Sequence, residues 1–126
     1  MTISASGRFL AMGEKTDRAV AFVFDLHTMK RKKHLTTSEI MSTEFVSMAF
    51  HPFHEHKTLI TMGGEPDWML VLWNWDRAKV VAVTKVSSTS VVRQVSFNPY
   101  DINGGIVCSG DNILKWYKNL EGQLKI

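Results

Sequence analysis

One pattern recurs in this chain at a spacing that few architectures accept. Phe45-Val46-Ser47-Met48-Ala49-Phe50-His51-Pro52 is echoed by Val92-Arg93-Gln94-Val95-Ser96-Phe97-Asn98-Pro99, with Pro99 lying 47 residues after Pro52. Thr58 to Gly63 is echoed by Gly105 to Gly110, and Leu70-Val71-Leu72-Trp73 by Ile113-Leu114-Lys115-Trp116. A third copy opens the chain and lacks its first strand: Ile3 to Gly7 align with Phe50 to His54, Arg8 to Gly13 with the second run, and Val20 to Asp25 with the third. Arg31 to Leu35 can supply its fourth. Within the stretch Phe45 to Lys85, four short apolar runs are each closed by turn residues. Their period is two, not the three-and-four of a helix, so the repeating unit reads as a four-stranded antiparallel meander. The last copy, from Val91, has Gln123 to Ile126 as its only candidate fourth strand.

A period of about 40–45 residues with four strands per unit is the signature of propeller blades. Such a sheet is apolar on both faces and must stack against a neighbour on each side. Phe24, Trp73 and Trp116, near the ends of the third strands, are expected to fill the space between blades, and Pro52 and Pro99 to turn the chain after the first strands. Burying one Trp in this way contributes about 2–3 kcal/mol, which accounts for its recurrence without any chemistry. The fold expected is all-β, with about two and a half four-stranded blades: a partial blade over residues 1–40, a blade over 41–88, and a blade over 89–126.

These residues resemble the WD-repeat β-propellers. Ser4-Ala5-Ser6-Gly7-Arg8-Phe9-Leu10-Ala11 is similar to that family's SPDGRYLA turn, and Leu70-Val71-Leu72-Trp73-Asn74 and Phe22-Val23-Phe24-Asp25 are similar to its Trp-Asp strand end. No Gly-His dipeptide opens a repeat, and Asn74 or Tyr117 follows the Trp where the family has Asp. The family's hydrogen-bonded Asp-His-Ser/Thr-Trp tetrad is therefore not expected, and the blades should rest mainly on apolar packing. The strings Phe45 to Pro52, Leu70 to Ala82 and Leu120 to Lys125 are similar to the N-terminal propeller of cilia- and flagella-associated WD-repeat proteins. That resemblance implies a cytoskeletal scaffold in the motile axoneme, near inner dynein arms and regulatory complexes. Its implied partners are axonemal proteins, among them tubulin or dynein-associated subunits.

Two and a half blades cannot close a ring, since known propellers typically have four to eight. The chain is expected to expose a sheet edge and two apolar faces, which pair or aggregate unless covered. A piece of a larger propeller, or an assembly in which another chain or further copies complete the ring, would satisfy them.

The remaining motifs weigh against chemistry. Cys108 lies in an apolar run and is the only cysteine, so no internal disulfide forms and a buried thiol is expected. No run approaches the roughly 18 apolar residues of a membrane span, and the N-terminus lacks a secretory core. His51, His54 and His56, with Glu55 nearby, would point in different directions on an extended loop. A solvated turn is expected there, with no metal. Gly63-Gly64-Glu65-Pro66-Asp67 lacks the Lys-Ser/Thr ending of a phosphate loop and reads as a hairpin whose glycines permit positive φ. Such loops carry partner contacts, which singles out Glu65, Asp67 and Trp68, although Trp68 has equal reason to pack inward. Lys30-Arg31-Lys32-Lys33-His34 is the densest charge run. It reads as a solvated outer strand whose lysines discourage edge pairing, or as a site for acidic tubulin. Without interleaved aromatics it is a poor nucleic-acid site, though an adaptor outside the cilium that contacts nucleic acid or another acidic partner is the alternative. No nucleophile, base and oxyanion donors assemble, so neither an enzyme nor a cofactor is expected.

Overall fold

The structure is a computed structural model describing residues 2–4, 6–14, 19–36, 41, 43–55, 57–64, 68–86, 91–97, 105–110, 113–120 and 123–125. The first sheet comprises β1 (Thr2–Ile3), β2 (Phe9–Glu14), β3 (Val20–Asp25) and β4 (Lys30–Leu35). The second comprises β5 (Phe45–Phe50), β6 (Thr58–Gly63), β7 (Met69–Asn74) and β8 (Lys79–Lys85), and the third β9 (Val92–Phe97), β10 (Ile106–Gly110), β11 (Ile113–Leu120) and β12 (Gln123–Lys125). Within each sheet every strand pairs antiparallel with its neighbours in sequence, so each sheet is a meander. The fold is a partial β-propeller. The first copy does not lack its first strand, because Thr2 and Ile3 pair with Ala11 and Leu10. Gln123–Lys125 likewise pairs with Lys118–Leu120.

The sheets stack through two cores. Phe9, Ala11, Ala21, Val23 and Leu35 of the first sheet meet Met48, Phe50, Leu59, Val71, Trp73 and Trp75 of the second. On its other side the second sheet presents Ile60, Met62, Leu70, Leu72 and Ala82 to Val95, Phe97, Ile106, Cys108 and Tyr117 of the third. Strand alternation explains the division: in β6 and β7 successive apolar residues point to opposite faces, and both faces are covered. In the first core Phe50, Trp73 and Trp75 meet Phe9 together with smaller aliphatic residues, and in the second Phe97 and Tyr117 meet aliphatic residues together with Trp68.

The repeat extends to the irregularities. The β3–β4 ladder slips between Val23 and Phe24, and the β7–β8 ladder between Leu72 and Trp73. The β5–β6 ladder slips between Phe45 and Ser47, and the β9–β10 ladder at Ser109/Gly110. Extra residues at matching places raise the local twist in the same way in successive sheets.

One expected blade position is corrected by register. Leu59 pairs with Trp73 and Phe50, and Ile106, in the equivalent place, pairs with Phe97 and with Tyr117. Tyr117, 3% exposed, therefore takes the place of Trp73, while Trp116 stands opposite Val107. The tight connection that pairs Gly110 with Ile113 sets this register, as loop length does in any hairpin.

Candidate protein-interaction surfaces

Polar groups in the interior brace individual sheets and also tie neighbouring ones together. The Trp73 indole N–H donates to Thr61 Oγ1 at 2.9 Å, with both residues fully buried. This is the Ser/Thr–Trp half of the family tetrad. The first and third sheets cannot make it, since Phe24 and Tyr117 replace the Trp, and Met12 and Cys108 the Thr. Trp75 lies in a short 3-10 turn (Trp75–Arg77) and donates from Nε1 to Glu55 O at 2.9 Å, with Phe9 edge-on at 5.0 Å. The Glu55 carboxylate accepts from Ser6 N–H at 3.2 Å and Ser6 Oγ at 2.6 Å, joining the turns of the first two sheets. Across the other seam, Val95 N–H donates to Ser47 Oγ at 3.2 Å. Asp25 accepts from His27 N–H at 2.9 Å and from Arg8 at 3.4 Å. Burial alone would raise its carboxyl; the His27 N–H and the Arg8 guanidinium outweigh that and hold it below its ordinary value.

The expected solvated turn at His51 is corrected. His51 is 4% exposed, its Nδ1 accepts from Phe53 N–H at 3.0 Å and His54 N–H at 3.1 Å, and its ring lies 4.8 Å from Phe97. A single polar residue before the turn thus satisfies backbone donors, as Ser4 Oγ does for Phe9 N–H at 3.0 Å. Pro52 lies in this turn, half-buried. His56 and Pro99 lie outside the described residues; among those described, no three His, Cys, Asp or Glu side chains gather as a metal site.

The Gly63-Gly64 turn also works differently from expectation. Among the described residues here, the positive φ belongs to Trp68, at 48°, and not to either glycine. Trp68 N–H donates to Gly64 O at 3.1 Å, and the indole packs inward at 8% exposure in the core between the second and third sheets. Gly64 sits in a close approach, since a Cβ there would lie 3.1 Å from Val46 Cγ1. Trp68 is therefore not a rim anchor; Glu65 and Asp67 lie outside the described residues.

Among the described residues, three surfaces stand out as open. The basic run forms β4, the outer edge of the first sheet, with Lys30 exposed and Lys33 half-buried. The side chains of Arg31 and Lys32 lie outside those described, and His34 stacks on Phe22 at 5.0 Å. The second surface is the outer face of the first sheet, where Met12, Gly13, Glu14, Phe22 and Phe24 line a concavity of about 560 Å³. Phe24 faces this opening and not a blade. The third is the outer face of the third sheet, where Leu114 is 63% exposed. Cys108 is no nucleophile: burial pushes its thiol up to about 12, against the opposing pull of Lys115. Sequence reasoning missed the Ser6–Glu55 tie, because nothing local to either residue marks a contact between turns.

The chain is 31% identical over 129 aligned positions, 99% of its length, to cilia- and flagella-associated protein 57 of Mus musculus, and spans 10% of that protein. Its fold matches the β-propeller domain of Myceliophteria thermophila Cps50 (Swd1), with a TM-score of 0.73, 16% identity, and coverage of 93% of this chain and 32% of that one. It also matches a chain in the mitotic checkpoint complex, with a TM-score of 0.77, 21% identity, and coverage of 98% and 36%. No protein-family model matches. These likenesses are to WD-repeat propellers, and they agree with the stacked meanders described above.

Proposed function

We propose that this chain is a protein-interaction scaffold, formed of WD-repeat propeller blades from an axonemal protein that supports ciliary or flagellar motility in the region of the dynein arms and regulatory complexes. The observation that carries this reading is the likeness to a cilia- and flagella-associated protein along almost the whole chain. The side-chain economy supports it: the large buried groups and their hydrogen bonds are used in stacking sheets, which makes a rigid body whose rims and edges meet partners. Expression of the tagged chain in ciliated cells tests it. Recovery with the demembranated axoneme, beside dynein-associated neighbours in proximity labelling, is the expected result. A tag confined to the soluble cell body overturns it.

Within this reading, β4 is the site for acidic tubulin, since it is a free edge carrying the basic run. Reversing the charges of Lys30, Arg31, Lys32 and Lys33 should weaken microtubule co-sedimentation, most strongly at low salt. Unchanged sedimentation would remove tubulin from the proposal, and salt-sensitive binding of RNA or DNA would favour an adaptor outside the cilium.

A further inference from the structure

The basic run gains cationic neighbours from far along the chain. Lys30 stands opposite Asp25 and Lys33 opposite Val23 across the β3–β4 ladder. Val23 lies in the core between the first and second sheets, and Asp25, two residues on, shares its face. Directly paired residues stand on the same side of a sheet. Both lysines are therefore on the face of β4 that looks to the second sheet, and not on the face where His34 stacks on Phe22. There β4 lies against the turn Trp75–Arg77. Lys57 belongs to the same corner, since its carbonyl accepts the Trp75 N–H at 2.9 Å. Lys30, Lys33, Lys57 and Arg77 thus border one seam, with Lys33 half-buried and the other three exposed. The carboxylates close by are already engaged: Asp25 by Arg8 and the His27 N–H, and Glu55 by Ser6. Asp76, exposed beside Arg77, is the acid that remains on the turn. Among the described residues the ion pair formed is Arg8–Asp25, and none of the four cations enters one.

We propose that this seam is a docking site for an extended, glutamate-rich peptide segment, laid along β4 and across the Trp75–Arg77 turn. The inference deepens the reading of β4 as an edge for an acidic partner, and it rests on that reading. Both walls of the seam belong to this chain. Charge names the occupant, since four cations around a single free carboxylate attract a polyanion. Spacing makes it a peptide. Three residues along a strand span at most about 10 Å, and stacked sheets lie about 10 Å apart. Side chains on one face of an extended peptide recur every ~7 Å, so a short acidic run reaches both walls. A nucleic-acid strand finds no aromatic side chain within the basic run on which to stack its bases.

Fluorescence anisotropy of a labelled oligo-glutamate peptide, titrated with the whole chain at low salt, tests this. Binding that weakens as salt is added is expected, and the glutamine counterpart of the peptide should not bind. Arg77→Glu leaves β4 unchanged and should raise the dissociation constant at least ~5-fold, with a further loss when Lys57→Glu is added. Lys85→Glu makes the same change of charge at the far end of β8 and should stay within ~2-fold of the parent. Arg77, Lys57 and Lys85 are exposed, so circular dichroism should show unchanged strand content. If Lys30→Glu with Lys33→Glu abolishes binding and Arg77→Glu does not, the seam is overturned while β4 stands as the edge for an acidic partner. If the natural chain does not bind the peptide, both readings fall. Equal losses from Arg77→Glu and Lys85→Glu overturn the seam in favour of attraction by net charge, and tighter capture of an oligo-dT strand overturns it in favour of nucleic acid.

Discussion

Removing the acceptor beneath Trp73 asks whether the second sheet rests on strand pairing and apolar packing alone. Thr61→Val keeps the shape of the side chain and deletes Oγ1, leaving the indole N–H in a fully buried site without its 2.9 Å partner. An unsatisfied donor of this kind costs about 1–3 kcal/mol. Trp73→Phe, which puts in the second sheet the residue Phe24 supplies in the first, removes both the donor and part of the buried ring, at a cost of about 2 kcal/mol. The double variant loses donor and acceptor together. It should therefore be more stable than the sum of the single losses implies, by a coupling of about 1 kcal/mol. Urea unfolding followed by far-UV circular dichroism, at one fixed protein concentration, measures all four proteins. Each kcal/mol should also move the melting temperature by about 3–6 °C for a chain of this size. If Thr61→Val lies within ~0.3 kcal/mol of the parent, or the two losses add without coupling, the hydrogen bond adds nothing to what holds Trp73 in place on the second sheet.

Other perturbations follow from the same contacts. Asp25 has its folded pKa below the ordinary carboxylate value, so its contribution is complete above that value and is lost as pH falls through the lower, folded one; Asp25→Asn should flatten the acid limb of a stability–pH curve. His51→Ala strands the Phe53 and His54 N–H groups and should cost ~1–3 kcal/mol in urea unfolding, whereas His51→Asn, matching Asn98 of the next repeat, keeps an acceptor and should cost less. Gly110→Ala would set a Cβ 2.0 Å from Val91 O, so the ladder must shift; a loss of at least ~2 kcal/mol is expected, and a neutral result would refute the close approach. Cys108 should resist thiol reagents at pH 8 in the folded chain and react fully in denaturant, as absorbance-based labelling would show.

Much of this was legible in the residues because it is local. Alternating apolar residues closed by Pro, Gly and Asp produce strands and turns wherever they occur, and their recurrence produces like sheets. Stacking followed from the same pattern, since β6 and β7 are apolar on both faces and neither face can meet water. What escaped was decided by contacts between distant segments. Trp116 carries the residue type of Trp73, but pairing register belongs to a ladder and not to a residue, and the Gly110–Ile113 connection puts Tyr117 in the core instead. Gly63 and Gly64 suggested positive φ by composition, yet the chain places it at Trp68, where inward packing of the indole outweighs a strained backbone.

The sequence by itself determined the unit, its period and its need for neighbours, because these depend on the order of apolar and turn residues within a few positions. Only the tertiary structure decided which residue fills each seam and which polar group meets a buried donor, as with Thr61 beneath Trp73 and His51 beneath its turn. Those outcomes depend on register and on surfaces brought together from far along the chain, and neither is written in any one segment.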